Sequence, residues 1–111
     1  AVLGAAGAGD IGRHFPDTDP EWKDAASLPL LARSVQHVAS LGYTVVNVDV
    51  TVILERPKIA GHVPAIQASL ASALGVDPSR VSVKGKTNEG LDAVGRGEAI
   101  AAHAVALVRR R

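Results

Sequence analysis

The alternation that runs from Tyr43 to Glu55 constrains the fold of this chain most. Val46, Val48, Val50, Val52 and Leu54 form one series; Val45, Asn47, Asp49, Thr51, Ile53 and Glu55 form the other. Successive side chains of a strand point to opposite faces, so the pattern predicts one long strand. An apolar face backed by a semi-polar one calls for helices on one side of the sheet only. Asn47, Asp49 and Thr51 on the other face are suited to solvent or, in a trimer, to neighbouring subunits.

The period changes on either side of this strand. Leu28, Leu31, Val35 and Val38 recur at three- and four-residue spacing, a helical stripe that ends at Gly42. Pro20 to Ala25 is expected to start that helix, with Asp24 or Ser27 as cap; Pro29, tolerable only in a first turn, places the start near Ser27. Pro57 breaks the strand. Pro64 opens a second helix with the stripe Ile66, Leu70 and Ala73 or Leu74, closed by Gly75. Asp77-Pro78-Ser79 reads as a turn and Arg80 to Lys86 as a short strand with Val81 and Val83 on one face. Asn88 to Gly97 reads as loop. Glu98 to Arg109 is the last strand, with Ile100, Ala102, Ala104, Ala106 and Val108 facing one way. Ala1 to Ala6 reads as the tail of a helix. With no repeat, low-complexity segment or linker, the order predicts one α+β domain over residues 1–111, a mixed sheet with helices on one face.

Composition narrows the function. A chain of 111 residues suits one core, and with 47% hydrophobic but only 3% aromatic residues that core is built from small and β-branched side chains. Such a domain often completes its burial by oligomerising. A net charge of +1 argues against nucleic-acid binding driven by phosphate neutralisation. Arg109-Arg110-Arg111 reads as a solvated basic end. The absence of cysteine excludes disulfides and thiolate metal sites and fits a reducing cytosol. The opening apolar run lacks a basic flank and is too short to span a bilayer, so neither signal peptide nor membrane anchor is expected.

From Gly9 to Pro20 no period runs at all. Asp10, Asp17 and Asp19 lie among two glycines, two prolines and Phe15, so the segment is expected to be neither strand nor regular helix. A rigid loop of carboxylates and free amides suits a polyhydroxylated or metal-bound phosphate ligand. A tight turn capping the next helix is the competing reading.

Three further segments follow: Glu55-Arg56-Pro57-Lys58-Ile59, Lys84-Gly85-Lys86-Thr87-Asn88-Glu89-Gly90-Leu91, and Gly95-Arg96-Gly97-Glu98. In this order and spacing, together with the Asp-rich loop, they resemble the 2-C-methyl-D-erythritol 2,4-cyclodiphosphate synthase family of non-mevalonate isoprenoid biosynthesis. The resemblance runs from about Ala1 to the C-terminus. It implies a fold like that of trimeric chorismate mutases, with a further N-terminal strand region. It also implies a homotrimer whose sheets turn towards the three-fold axis and whose active sites are shared between subunits. The implied reaction cyclises 4-diphosphocytidyl-2-C-methyl-D-erythritol 2-phosphate and releases CMP, in the cytoplasm or in a plastid. The family's zinc ligands, an Asp-x-His pair and a later His, have no match here. The chain is therefore expected to lack an N-terminal part and to be inactive by itself.

The resemblance also assigns residues. Asp10, Ile11 and Gly12 contact the substrate around the ribose and methylerythritol portion, and Phe15, Pro16, Asp17, Thr18 and Asp19 wall the methylerythritol pocket. His14 has no matching role and is taken as a surface residue. Leu54, Glu55, Arg56, Pro57, Lys58, Ile59 and Ala60 match the cytosine pocket, where backbone groups read the base and Lys58 lies near phosphate. Among Lys86, Thr87, Asn88 and Glu89, the Thr87 hydroxyl is the catalytic group stabilising the transferring phosphate, and Glu89 binds Mg²⁺ or Mn²⁺ on the diphosphate. The commoner pattern has threonine at Lys86 and Asn88. Arg96 and Glu98 lie near the trimer axis, and Ala93 stands where many members carry a phenylalanine lining an axial cavity. An isoprenoid diphosphate on that axis and an Arg96–Glu98 ionic ring are the two readings of that element. His37, His62 and His103 show no metal-ligand spacing. The alternative functions are a non-catalytic trimeric module binding a nucleotide or isoprenoid diphosphate, and an enzyme of chorismate-mutase type; the Asp-rich loop argues against the latter.

Overall fold

The computed structural model describes every residue from Ala1 to Arg111. The chain runs α1 (Val2–Ala5), α2 (Ile11–His14), α3 (Ser27–Ser40), β1 (Tyr43–Ile53), α4 (Val63–Leu74), β2 (Val81–Lys86), α5 (Asp92–Gly95) and β3 (Ala101–Arg110). Short 3-10 turns occupy Ala60–His62 and Pro78–Arg80. The alternating segment is the central strand of a three-stranded sheet in the order β2-β1-β3. It pairs in parallel with β2 from Val48↔Val81 to Ile53↔Lys86, and antiparallel with β3 from Tyr43↔Arg110 to Ile53↔Ala101. A parallel pair needs a crossover, and α4 supplies it. The result is the mixed α+β sheet that the element order predicts.

The alternation in β1 does not run unbroken. The register passes from Val45↔Val108 to Asn47↔Leu107, so Val46 is an extra residue, a β-bulge. Simple alternation puts Val46 with Val48. Instead Val45 joins Val48 in the core and Tyr43 and Val50 pack beside them, while Val46 is outside it. That core is Val2, Leu3, Val38, Val45, Val48, Ala71, Leu74, Val81 and Val83, between the sheet and α1, α3 and α4. Val81 and Val83 share its face as expected. On the open face Asn47 and Asp49 stand opposite Leu107 and Val105, which are 56% and 72% exposed.

Several boundaries differ from those the sequence predicts, each for a local reason. Pro20–Ala25 forms successive turns instead of helix, because Asp24 takes a left-handed conformation (φ 58°) that a helix cannot continue through. Neither Asp24 nor Ser27 caps α3: Ser27 is its first residue, preceded by Ala26 without a side-chain cap. Leu28 falls outside the stripe and is exposed; Leu31, Val35 and Val38 pack inward beside the buried Ser34, whose hydroxyl donates to Leu30 O. In α4 Pro64 sits in the first turn and Gly75 ends the helix at φ 70°, as expected, with Ala71 and Leu74 as its buried residues. Two segments read as loop each contain one helical turn, α2 and α5. One turn is too short to show a period. β3 starts at Ala101 and not Glu98; Ala106 and Val108 reach the core, whereas Ile100 is exposed. No helix is long and apolar enough to cross a membrane.

Candidate active site

The C-terminal ends of the parallel strands β1 and β2 open into a cavity. Leu54, buried just beyond β1, donates its N–H to Lys86 O at 2.9 Å, the last rung of the pair. Beyond that rung the two chains separate. The 54–60 segment turns through Arg56-Pro57, whose peptide is cis, into the 3-10 turn before α4, while β2 leaves through Thr87. The space between measures about 340 Å³ and is lined by Leu54, Glu55, Pro57, Lys58, Ile59, Ala60, Val63, Gly85, Lys86 and Thr87. Two segments far apart in sequence are thereby brought together.

Arg56 does not join them. It is exposed and its guanidinium lies against Gly97, where a Cβ would come within 2.8 Å of Nη2. Gly85 and Val63 are lining residues that the motifs did not single out. A Cβ at Gly85 would lie 2.7 Å from Ile59 Cγ1, so only glycine lets Ile59 close over the strand. The signal in the sequence is a glycine inside a strand, which marks a bulge or a close approach.

The segment after Thr87 is held by its own polar groups. Asn88 N–H donates to Glu55 Oε1 at 2.6 Å, and Asn88 Nδ2 donates to Leu91 O at 3.0 Å. Glu89, Gly90 and Asp92 all have positive φ, at 54°, 76° and 57°. A hydrogen bond from the Asn88 side chain, with others from the Val94 and Gly95 N–H groups, holds the Asp92 carboxyl below the usual aspartate range. Glu89 is exposed and takes part in no ion pair. One free carboxylate fits Mg²⁺ or Mn²⁺, which take one or two carboxylates and complete their shell with phosphate oxygens and water. No three His, Asp or Glu side chains converge to hold a metal ion.

The Asp-rich loop forms a separate cleft of about 490 Å³, lined by Ile11, Gly12, Phe15, Pro16, Asp17, Thr18 and Leu30. It shares no lining residue with the first cavity. Two of its carboxylates are occupied locally. Asp10 caps α2 by accepting the Arg13 N–H at 2.9 Å, and Asp19 accepts the Glu21 N–H at 3.0 Å. Asp17 and Thr18 remain exposed. His14 is not the surface residue expected: it is half-buried, its Nε2 meets Ala8 O, and its ring lies 4.5 Å from that of His37. Phe15 packs edge-on against Trp22, with the Arg33 guanidinium 5.1 Å from the indole. Ala93 and Arg96 line neither cavity, and Arg96 Nε pairs with Glu98 Oε1 at 3.2 Å.

Comparison with known proteins identifies the family. A sequence model of the YgbB family matches residues 1–109. A 2-C-methyl-D-erythritol 2,4-cyclodiphosphate synthase of Symbiobacterium thermophilum is 57% identical over 111 residues, all of this chain and 71% of that protein. A bifunctional enzyme IspD/IspF of Anaeromyxobacter sp. is 57% identical over 110 residues, 99% of this chain, which spans only 28% of that longer protein. A solved 2C-methyl-D-erythritol-2,4-cyclodiphosphate synthase in its CDP-bound form superposes with a TM-score of 0.89 at 35% identity, over 98% of this chain and 70% of that one. With the family model matching nearly its whole length and relatives more than half identical to it, the chain belongs to the YgbB family, and the relatives it resembles include 2-C-methyl-D-erythritol 2,4-cyclodiphosphate synthases.

Proposed function

We propose that the chain provides the cytidine-binding and phosphoryl-transfer elements of a lyase that cyclises 4-diphosphocytidyl-2-C-methyl-D-erythritol 2-phosphate. The observation that carries this reading is the cavity at the ends of β1 and β2, which gathers the 54–60 segment with Lys86 and Thr87. A relative of the same fold has been solved with CDP. In the reaction an oxygen of the 2-phosphate attacks the β-phosphorus. The bond from that phosphorus to the bridging oxygen breaks, and CMP leaves carrying the oxygen and its electron pair. The substrate supplies its own nucleophile, so the protein's work is to position it and to stabilise charge.

The residues divide that work. Backbone groups of the 54–60 segment hold the base, with Pro57 and Ile59 as apolar walls. Lys58 and Lys86 offset phosphate charge from the two sides of the cavity. The Thr87 hydroxyl donates to a β-phosphate oxygen as charge gathers there. Glu89 would hold Mg²⁺ or Mn²⁺, which neutralises the diphosphate when bound. Asp17 and Thr18 suit the hydroxyls of the methylerythritol portion.

The two binding regions are separate cavities in one protomer, and the open sheet face carries exposed Val105 and Leu107. Both features support a homotrimer with each site shared between neighbours. The Arg96–Glu98 pair favours an ionic ring at the axis over an isoprenoid diphosphate ligand. The 111-residue chain is inactive by itself in this reading, because the family's zinc ligands are not among its residues.

Calorimetry with CDP and Mg²⁺ should show saturable binding. The full-length protein, given the cytidylyl substrate and Mg²⁺, should release CMP. Binding without CMP release from the full-length protein would leave a non-catalytic nucleotide-binding module instead.

A further inference from the structure

Glu55 lines the cavity, but its geometry commits it elsewhere. Its Oε1 accepts the backbone N–H of Asn88 at 2.6 Å, and both residues are half-buried. A short hydrogen bond to a charged acceptor is among the stronger kinds. It joins two segments whose nearest backbone link is the Leu54–Lys86 rung. We propose that Glu55 is a positioning residue, whose carboxylate straps the Thr87–Glu89 segment at a fixed distance from the base-binding cavity. The proposal rests on the reading of the site given above.

The conformation of the strapped segment shows why a restraint is needed. Three of the four residues from Glu89 to Asp92 have positive φ, and only one of them is glycine. Left-handed backbone at residues with a Cβ is unfavourable and persists where surrounding contacts enforce it. Some of that enforcement is internal: Asn88 Nδ2 to Leu91 O, Val94 N–H to Asp92, and Gly95 packed against the Gly90 backbone. Internal ties fix the shape of the segment. They do not fix its distance from the cavity, and therefore do not place Thr87 and Glu89 relative to a bound base. The Glu55–Asn88 bond does so from one side of the segment, and Arg56 packed on Gly97 supports the other.

The strap predicts an asymmetric effect on binding. CMP uses the base and ribose contacts. CDP with Mg²⁺ also uses the strapped segment, through its β-phosphate. Glu55→Ala removes the acceptor, whereas Glu55→Gln keeps an oxygen in the same place.

The test measures amide hydrogen exchange at Asn88 by NMR, together with calorimetric affinities for CMP and for CDP with Mg²⁺. Glu55→Ala should speed Asn88 exchange about tenfold or more. It should also cut the advantage of CDP–Mg²⁺ over CMP by about tenfold, with Glu55→Gln, whose neutral oxygen is a weaker acceptor, falling between the parent and Ala in both. Unchanged Asn88 exchange in Glu55→Ala overturns the proposal. So does an equal loss for CMP and CDP–Mg²⁺, which would make Glu55 a direct base contact, or a Gln variant that behaves like Ala. If the parent binds neither nucleotide, the site assignment falls, and the exchange result alone decides for or against the strap.

Discussion

The cavity at the ends of β1 and β2 and the Asp-rich cleft are built in contrasting ways. The first stands on sheet: its walls are continuations of paired strands, closed by Ile59 over Gly85 and tied by Glu55 to Asn88. The second stands on turns: one helical turn capped by Asp10, a run of turns through Asp24, and an aromatic contact between Phe15 and Trp22. A site on strand ends inherits its frame from many backbone hydrogen bonds. A site on turns depends on a few caps and packed rings. The first is thus suited to a rigid aromatic base and the second to a flexible polyol.

Substitutions can break or sharpen this contrast. The largest effect is expected at Thr87. Thr87→Ala should lower turnover of the full-length protein about a hundredfold with little change in KM, since the hydroxyl acts chiefly in the transition state. A steady-state comparison with the parent checks this, and a rise in KM alone would make Thr87 a simple binding residue.

Asp17→Ala should lower turnover on the full substrate about tenfold while leaving CDP affinity unchanged, the loss of one charge-assisted hydrogen bond on the polyol side. Equal losses of turnover and CDP affinity would mean that the two regions are not independent. Gly85→Val, by contrast, should cost about 2 kcal/mol in denaturant unfolding, because the added carbons collide with Ile59. CDP binding should weaken with it, and the Asp-rich cleft should be untouched. Asp10→Ala should cost about 1 kcal/mol through loss of the α2 cap, felt in exchange of the Arg13 amide more than in global unfolding.

The smallest effect concerns acid. The folded Asp92 carboxyl titrates below its ordinary value, chiefly through the Asn88 side chain and then the Val94 N–H. Its stabilisation is therefore present above the unfolded aspartate pKa and lost as pH falls through the lower folded value. Asp92→Asn tolerates the left-handed backbone but lacks that charged form, so it should be slightly less stable than the parent at pH 7 and show a shallower loss of stability on acidification. Parallel acid titrations of the two proteins followed by circular dichroism test the difference.

Much of this molecule was legible in the sequence, and what was hidden has a common cause. The element order followed from periodicity, and the lining of the strand-end cavity from motif resemblance: Leu54, Glu55, Pro57 to Ala60, Lys86 and Thr87 all meet there. Arg56 shared the motif but turns to Gly97, because neighbouring side chains in an irregular segment need not point the same way. The bulge at Val46 stayed hidden, since alternation counts residues and not hydrogen bonds. The tilted, touching rings of His14 and His37 are twenty-three positions apart and carry no local pattern. The Glu55–Asn88 tie depends on where two loops meet. Local pattern reports what one segment prefers. Contacts between irregular segments are decided by the assembled fold.

The bulge itself gives the central strand a tolerance for length. Elsewhere in β1 the fold counts every residue, since losing one would turn all those on one side of it inside out. Val46 is outside that count. Removing it leaves Val45 inward, Asn47 outward and Val48 inward, an ordinary alternation on both sides of the splice. The middle of the sheet therefore holds one position where the chain can shorten by a residue and keep every neighbour's direction, giving up only the local extra twist that a bulge imposes.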